Sequence, residues 1–267
     1  PREVQWGLLD VSGAGTDQVR VLQEIGREAT ERYVDLPRPR RPQRIDDLPA
    51  TIGVREARQM EPAVIAPRFV PVGVGGDSLA LQGFDPEIGG NGFLITGPPR
   101  SGKSNTLQFV LSGLRRRPTT LFVPRRSPLL TDPPRGAKVF TGAEPVEEVR
   151  SHLEKLRGDH VIAIDDYEVI GTDSPLGQLL TERFAKMRDS GSLMIITGGI
   201  DDMLSVYRGL PNEMKRGRSG LVLSPRATND GDVLNVRLPR SASGAMPIGR
   251  GVLASPLGWT WVQVPRM

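Results

Sequence analysis

The stretch FLITGPPRSGKSNTLQFVLSGL, residues 93–114, holds an apolar run that ends at a glycine, a short loop and an amphipathic segment. The loop, residues 97–104, fits the pattern G-x-x-x-x-G-K-S at every fixed position. In the segment after it, apolar residues repeat at the i, i+3, i+4 and i+7 spacing of a helix face: Leu107, Val110, Leu111 and Leu114. Strand, glycine-rich loop and helix together predict a phosphate-binding loop of the Walker A type.

The residues of this loop have separate predicted roles. The glycines let consecutive backbone N–H groups point at phosphate oxygens, and the start of the helix adds partial positive charge. Lys103 is expected to reach the β- and γ-phosphates of ATP, and the hydroxyl of Ser104 to hold Mg²⁺. An ordinary glycine-rich turn is the alternative. The loop residues predicted to bind nucleotide are Gly97, Pro98, Pro99, Arg100, Ser101, Gly102, Lys103, Ser104 and Asn105.

A second acidic element follows in HVIAIDDYEVIG, residues 160–171, where an apolar run ends at two aspartates. Asp165 is predicted to be the Walker B aspartate that holds Mg²⁺ through its water shell, because a hard cation prefers oxygen ligands. Asp166 stands where many related sites carry a glutamate that orients the attacking water, and we predict that it is catalytic together with Lys103. Glu168 is a weaker candidate for that role. A surface acidic turn after a strand is the alternative interpretation of the pair.

The length of the Asp166 side chain bears on the expected rate. Aspartate is one methylene shorter than glutamate, and a misplacement of about 1 Å can lower a rate on the order of a hundredfold. We therefore expect slow hydrolysis by this chain.

Thr197 ends another apolar run, which begins at Leu193. If this strand lies beside the strand of Asp165, Thr197 could contact the γ-phosphate or its attacking water and would belong to the nucleotide site. A plain strand cap is the alternative.

Short apolar strands alternate with helical patterns through the middle of the chain, which predicts a parallel, doubly wound α/β sheet flanked by helices. A short strand pair is expected before the Walker A loop, in RFVPVGVG and SLALQGF. The predicted strands are Phe93–Thr96, Thr120–Val123, Val161–Ile164, Leu193–Thr197, Leu221–Leu223, Gly251–Ala254 and Trp259–Val264. The predicted helices are Lys103–Arg116, Glu144–Leu156 and Leu176–Asp189.

The first part of the chain has a different pattern. Residues 4–11 suggest a strand, and residues 16–36 suggest a helix with Thr16 or Asp17 as its N-cap. Proline and arginine then interleave in PRPRRPQR, residues 37–44, which predicts an extended linker. A basic tether for nucleic acid is the alternative. We accordingly predict an N-terminal segment with linker, residues 1–66, and an ATPase domain, residues 67–267.

Composition narrows the classes of function. The 267 residues include no cysteine and two histidines, which excludes disulfides, thiolate metal sites and cysteine nucleophiles and disfavours a histidine metal site. The net charge of +4 is too small to indicate a dedicated nucleic-acid surface. No apolar stretch approaches the roughly 20 residues of a membrane helix, so direct membrane insertion is not expected. The chain begins at Pro1, and we expect it to be a fragment of a longer protein.

Several of these stretches resemble a known family. The segment RFVPVGVGGDSLALQGFDPEIGGNGFLITGPPRSGKSNTL, residues 68–107, resembles the start of an FtsK/SpoIIIE-type ATPase domain, where P-x-G-x-G-x-D-x-L leads into the Walker A strand. More narrowly, VIAIDDYEVI, SPLGQLL and PIGRGVLASPLGWTWVQV are similar to the C-terminal ATPase module of the type VII (ESX) secretion motor. The similarity covers roughly residues 67–264.

The resemblance implies a RecA-like fold that binds ATP with Mg²⁺. It also implies neighbouring ATPase modules as partners, a position on the cytoplasmic face of a membrane-anchored complex, and docking of the C-terminal signal of a secreted protein. Gly97, Gly102, Lys103, Ser104 and Asp165 match the functional residues of the family. The family's catalytic glutamate does not, because Asp166 occupies its position.

Three arginines are candidates for a finger that reaches a neighbouring module's site, or are otherwise solvated surface: Arg208, Arg216 and Arg218. Two other functions stay open. A DNA translocase of the segregation or conjugation type would bind DNA with a strong salt dependence. A purely structural P-loop domain would have lost nucleotide hydrolysis or binding.

Overall fold

A computed structural model of the chain describes residues 8–37, 45–123, 127–187, 190–238 and 246–267. The chain separates into two compact units, Pro1–Arg44 and Ile45–Met267. The domain boundary predicted after residue 66 differs from this division. Ile52 and Ala57 are buried in one apolar cluster with Phe109, so the segment that carries them belongs to the second unit.

The first unit contains one described helix, α1 (Gly15–Arg32), and no residue of this helix is buried. Its N-cap is Ala14, not the predicted Thr16 or Asp17. The Ser12 hydroxyl donates a hydrogen bond to the side chain of Asp17, in the first turn of the helix, at 2.6 Å. The described part of the predicted strand, residues 8–11, lies in bends and turns. The predicted linker lies outside the described residues apart from Pro37.

The second unit contains ten strands and eight α-helices within its described residues. The strands are β1 (Val70–Gly75), β2 (Ala80–Phe84), β3 (Gly92–Thr96), β4 (Thr119–Phe122), β5 (Lys138–Phe140), β6 (Val161–Ile164), β7 (Leu193–Gly198), β8 (Gly220–Leu223), β9 (Arg250–Ser255) and β10 (Gly258–Gln263). The helices are α2 (Val54–Ala57), α3 (Pro86–Gly89), α4 (Lys103–Gly113), α5 (Pro128–Thr131), α6 (Val146–Lys155), α7 (Pro175–Lys186), α8 (Ile200–Ser205) and α9 (Leu210–Lys215).

One sheet joins all of these strands in the order β2-β1-β10-β9-β8-β3-β7-β6-β4-β5. Strands β8, β3, β7, β6, β4 and β5 run parallel, and β9, β10, β1 and β2 extend the sheet by antiparallel pairing. The predicted α/β fold with a mostly parallel sheet flanked by helices is confirmed. In this topology the carboxyl ends of β3, β4, β6 and β7 share one edge, where open α/β sheets place their ligand sites.

The sheet is covered on both faces. Every residue of β3 is buried, and its side chains alternate between two apolar clusters. One cluster contains Leu94 together with residues of α6, α7 and α9. The other contains Phe93 and Ile95 together with residues of α4 and α5. Burial on both faces explains why these strands are continuous apolar runs instead of alternating patterns.

The sequence placed the main elements correctly and their ends less well. The seven individually predicted strands end within a single residue of the observed ones, as expected for fraying boundaries. The predicted helix Lys103–Arg116 ends earlier, at Gly113, because glycine is a poor helix former. The sequence analysis missed β5 and the short helices α2, α3, α5, α8 and α9, which are too brief to show a helical period.

Candidate nucleotide-binding site

The loop between β3 and α4 has the backbone shape that its glycines permit. Gly102 caps α4 with φ of 103°, a conformation that side chains with a Cβ atom avoid. A Cβ atom at Gly97 would lie 2.8 Å from the Cβ of Leu223 and would collide with the Ser101 hydroxyl. Both fixed glycines of the motif are therefore required by the geometry of the turn.

The first turn of α4 offers free donors to this loop. The first hydrogen bond of the helix runs from the Thr106 N–H to the Gly102 carbonyl at 2.9 Å. The N–H groups of Lys103, Ser104 and Asn105 precede it and so have no intrahelical partner. The Ser101 hydroxyl is buried without a partner among the described residues. Such donors at a positive helix end fit an anionic, phosphate-bearing ligand.

Asp165 lies opposite the loop and is 1% exposed. The Ser104 hydroxyl lies 3.2 Å from its Oδ1 and 3.0 Å from its Oδ2. Thr197 donates to Oδ1 at 2.8 Å, and the Ser127 hydroxyl donates to Oδ2. The structure thus brings the two predicted metal residues into contact and surrounds the carboxylate with hydroxyl groups.

Ser104 and Asp165 can hold a divalent cation only if a bound ligand and water supply its other oxygens. Among the described residues, no group of three or more histidine, cysteine, aspartate or glutamate side chains could form a metal cage. One hydroxyl and one carboxylate match the habit of Mg²⁺, which keeps several waters and takes its other oxygens from substrate phosphates. Ser104 and Asp165 fit that ion.

Asp166 faces the Walker A lysine. Its Oδ1 atom lies 3.7 Å from the Lys103 Nζ, and its backbone occupies the left-handed region with φ of 48°. Burial raises the pKa of the Asp166 carboxyl, the neighbouring charge of Asp165 raises this pKa further, and Lys103 partly offsets both effects. Both residues predicted to be catalytic therefore meet at the carboxyl edge of the sheet.

The raised pKa predicts how stability depends on pH. The folded state holds the Asp166 proton more tightly than the unfolded state does, so ionisation destabilises the fold. This contribution is fully present below the ordinary aspartate pKa and is lost as the pH rises through the folded-state pKa. We expect Asp166→Asn to raise the melting temperature of the nucleotide-free chain at pH 7, on the order of 2–4 °C for each 1 kcal/mol gained.

Differential scanning calorimetry at several pH values tests this expectation. The advantage of Asp166→Asn should shrink as the pH is lowered, because protonation of the wild-type carboxyl then removes the charge that destabilises the fold. An exposed aspartate, replaced as Asp202→Asn, serves as the control. An equal or lower melting temperature for Asp166→Asn at pH 7 would contradict the argument.

Thr197 links β7 to the two aspartates that follow β6. Strand β7 lies between β3 and β6, with Ile196 beside Ile164 in register. The Thr197 hydroxyl donates to Asp165 and accepts from the Asp166 N–H at 2.8 Å. The condition set for Thr197 in the sequence, a strand beside that of Asp165, is therefore met. Its contact with phosphate stays a prediction.

The side chains of three other predicted residues have surroundings of their own. Glu168 accepts a hydrogen bond from the Gly199 N–H at 3.3 Å, and burial and then the charge of Asp166 raise the pKa of its carboxyl. The Asn105 side chain donates to the Pro265 carbonyl at 2.9 Å and accepts from the Met267 N–H. The prediction that Asn105 binds nucleotide thus rests on its backbone N–H. The Arg100 side chain is exposed.

Residues near the end of the chain contact the Walker A loop and stabilise it. The Gly249 N–H donates to the Ser101 carbonyl at 3.0 Å, and Gly249 has φ of 84°. The Arg250 guanidinium donates to the carbonyls of Leu48 and Pro49. The PIGRG segment, residues 247–251, therefore braces the Walker A loop, a role that its sequence pattern did not predict.

The three finger candidates lie outside this cluster. Arg208 pairs with Asp173 at 2.9 Å on the surface, and Arg216, which follows α9, pairs with Glu213 of that helix at 2.9 Å. Arg218 precedes β8, which runs parallel to β3. Arg216 and Arg218 therefore lie toward the opposite edge of the sheet from this chain's own loop.

Comparisons with solved structures show which known proteins share this fold. EccC from Thermomonospora curvata, ATPases 2 and 3 in complex with a signal sequence peptide, matches 83% of the chain with a TM-score of 0.64 and 21% identity. EssC from Geobacillus thermodenitrificans, ATPases 2 and 3, matches 95% of the chain with the same TM-score and 16% identity. The chain has the fold of the type VII secretion ATPase domains. The resemblance stated from the sequence is confirmed as a likeness of fold.

The same fold occurs in a conjugation coupling protein. The conjugation coupling protein TcpA of pCW3, solved with ATPγS, matches 82% of the chain with a TM-score of 0.52 and 13% identity. The chain spans 44% of the EccC structure and 51% of the EssC structure. No protein-family profile and no curated protein sequence matches the chain.

Proposed function

We propose that this chain is an ATP-binding ATPase module of a type VII protein-secretion motor. The observation that carries the proposal is the contact of Ser104 with Asp165 beside the Lys103–Asp166 pair, at the carboxyl edge of a sheet with the EccC fold. A structural domain without nucleotide would have no reason to keep a buried carboxylate, a lysine and free helix-end donors together.

The proposed division of labour follows from the residues. The backbone from Gly97 to Asn105 and the Lys103 ammonium bind the phosphates, and Ser104 and Asp165 hold the metal. When bound, Mg²⁺ supplies charge neutralisation at the β- and γ-phosphate oxygens. Asp166 accepts a hydrogen bond from the attacking water and orients it, with Thr197 fixing the Asp166 backbone. The short Asp166 side chain makes hydrolysis slow.

The proposed partners follow from the likeness to EccC. The matched EccC structure contains a signal sequence peptide and more than one ATPase domain. We place the docking of a C-terminal signal in a cavity of about 280 Å³ between β2, α3 and the β9–β10 hairpin. Its apolar lining includes Val64, Phe69, Phe84, Ile88, Leu257 and Trp259. In this proposal, Arg208, Arg216 or Arg218 would reach the nucleotide site of a neighbouring ATPase module.

The proposed location is the cytoplasmic face of a membrane-anchored complex, because the chain resembles the cytoplasmic domain of EccC. Among the described residues, no helix combines the length and the apolar character that crossing a membrane requires.

A DNA translocase of the segregation or conjugation type is the second candidate. The likeness to the conjugation coupling protein TcpA favours it, because that protein shares the fold. Its TM-score is lower than that of EccC. The modest net charge of +4 favours secretion instead.

Leu257→Asp should weaken binding of a fluorescent C-terminal signal peptide from a small secreted helical-hairpin protein. Leu257 is 81% exposed at the tip of the hairpin that borders the cavity. Losing an apolar anchor and adding a charge should raise the Kd about tenfold or more. Fluorescence anisotropy of the labelled peptide measures this change.

The matched control is Tyr207→Asp, which changes an exposed apolar residue outside this cavity. It should leave peptide affinity unchanged. A parallel titration with double-stranded DNA at two salt concentrations separates the two functions. Salt-sensitive DNA binding without peptide binding would support the translocase and contradict the secretion proposal.

A further inference from the structure

Ser127 reaches the metal site from a segment that the Walker motifs do not include. It is 6% exposed and lies beyond β4, the parallel neighbour of β6. Its hydroxyl donates to the Oδ2 atom of Asp165. The two strands are also joined where they end, since the Asp165 N–H donates to the Phe122 carbonyl at 2.9 Å.

The Ser127 hydroxyl is held in one orientation. Ser127 is the N-cap of α5, and its Oγ atom accepts the Leu129 N–H at 3.3 Å. Leu129 is 1% exposed in the apolar cluster that also contains residues of α4, so the turn is anchored in the core. A serine hydroxyl has one proton, and with Leu129 at its oxygen this proton is directed to Asp165.

The remaining donors divide between the two oxygens of the carboxylate. Ser104 lies near both oxygens of Asp165 in the nucleotide-free chain. In its proposed role, Ser104 gives its hydroxyl oxygen to Mg²⁺. Thr197 then remains on Oδ1 and Ser127 on Oδ2. One donor on each oxygen fixes the plane of the carboxylate, and a buried carboxylate is costly without such partners.

We propose that Ser127 is a positioning residue of this site, which holds the Asp165 carboxylate in the orientation that binds the hydrated metal ion. The inference rests on the proposed nucleotide function and adds to it a residue from the segment between β4 and α5. Groups that orient a metal-binding side chain typically affect metal affinity by about 10–100-fold.

Three variants separate this role from helix capping. Ser127→Gly removes the donor, while glycine remains a tolerable N-cap. Ser127→Thr keeps both the cap and the hydroxyl. Ser127→Gly in an Asp165→Asn background removes the donor where the carboxylate is already absent. The probe is a fluorescent ADP analogue, titrated with Mg²⁺ or with EDTA present.

Ser127→Gly should raise the Mg²⁺ concentration for half-maximal binding by about 10–100-fold and leave binding in EDTA unchanged. Ser127→Thr should restore the wild-type Mg²⁺ dependence, and Ser127→Gly should add nothing to Asp165→Asn. A wild-type Mg²⁺ dependence in Ser127→Gly, or an equal loss of affinity with and without Mg²⁺, would overturn the role of Ser127 alone. A wild-type chain that binds no nucleotide in either condition would overturn the nucleotide site itself and the role of Ser127 with it.

Discussion

Lys103→Ala is expected to remove nearly all of the thermal stabilisation that Mg-ATP gives to the wild-type chain. At an ATP concentration about one hundred times the Kd, mass action stabilises the folded state by about 2.7 kcal/mol. For a chain of this size that corresponds to a rise in melting temperature of roughly 5–10 °C. A thermal melt with and without Mg-ATP measures the difference.

The large effect follows from the surroundings of the lysine. The Lys103 side chain is 12% exposed, and its ammonium lies beside Asp166 at the carboxyl edge of the sheet. In the proposed role, its loss removes the charge that would meet the phosphates and leaves Asp166 without its ion-pair partner. Binding of a polyanion would then have to overcome the nearby charge of Asp166.

Lys155→Ala is the matched control, because Lys155 is exposed in the last turn of α6 and lies outside the cluster. This variant should respond to Mg-ATP as the wild type does. Equal stabilisation of Lys103→Ala and the wild type would show that ATP does not occupy this loop.

The second large effect is expected from Asp166→Glu, which should accelerate ATP hydrolysis by about 10–100-fold. The added methylene moves the carboxylate about 1 Å toward the attacking water, and a displacement of that size corresponds to roughly a hundredfold in rate. Steady-state phosphate release at saturating Mg-ATP measures the gain. The rate of the wild type should lie well below the roughly 10 s⁻¹ that is typical of enzymes.

This substitution should also cost stability. Asp166 has φ of 48°, and aspartate tolerates that left-handed backbone better than glutamate does. We expect the nucleotide-free Asp166→Glu chain to lose about 1 kcal/mol. A variant that is faster and less stable would match both parts of the argument.

Asp166→Asn is the paired variant, since it keeps the shape of the side chain and removes its charge. It should hydrolyse ATP more slowly than the wild type while binding it at least as well. If Asp166→Glu is no faster than the wild type and Asp166→Asn is no slower, then Asp166 does not orient the attacking water.

The candidate site was partly predictable from the sequence, and its residues show where the limit lies. Gly97, Gly102, Lys103 and Ser104 lie within one short loop, so their spacing alone suggested a phosphate-binding role. Asp165 was proposed because it ends an apolar strand. Ser127 was missed, since Ser-Pro before a short apolar run signals a helix cap and gives no hint of a distant carboxylate.

The sequence by itself determined the alternating strands and helices, the glycine-rich loop between β3 and α4 and the acidic strand end, because each depends on local periodicity and turn chemistry. The tertiary structure alone decided which strand ends meet. Strand order placed Thr197 and Ser127 on either side of Asp165. It also brought the PIGRG segment into contact with the Ser101 carbonyl. Such contacts arise from pairing between segments far apart in the chain, which leaves no local signature in any one of them.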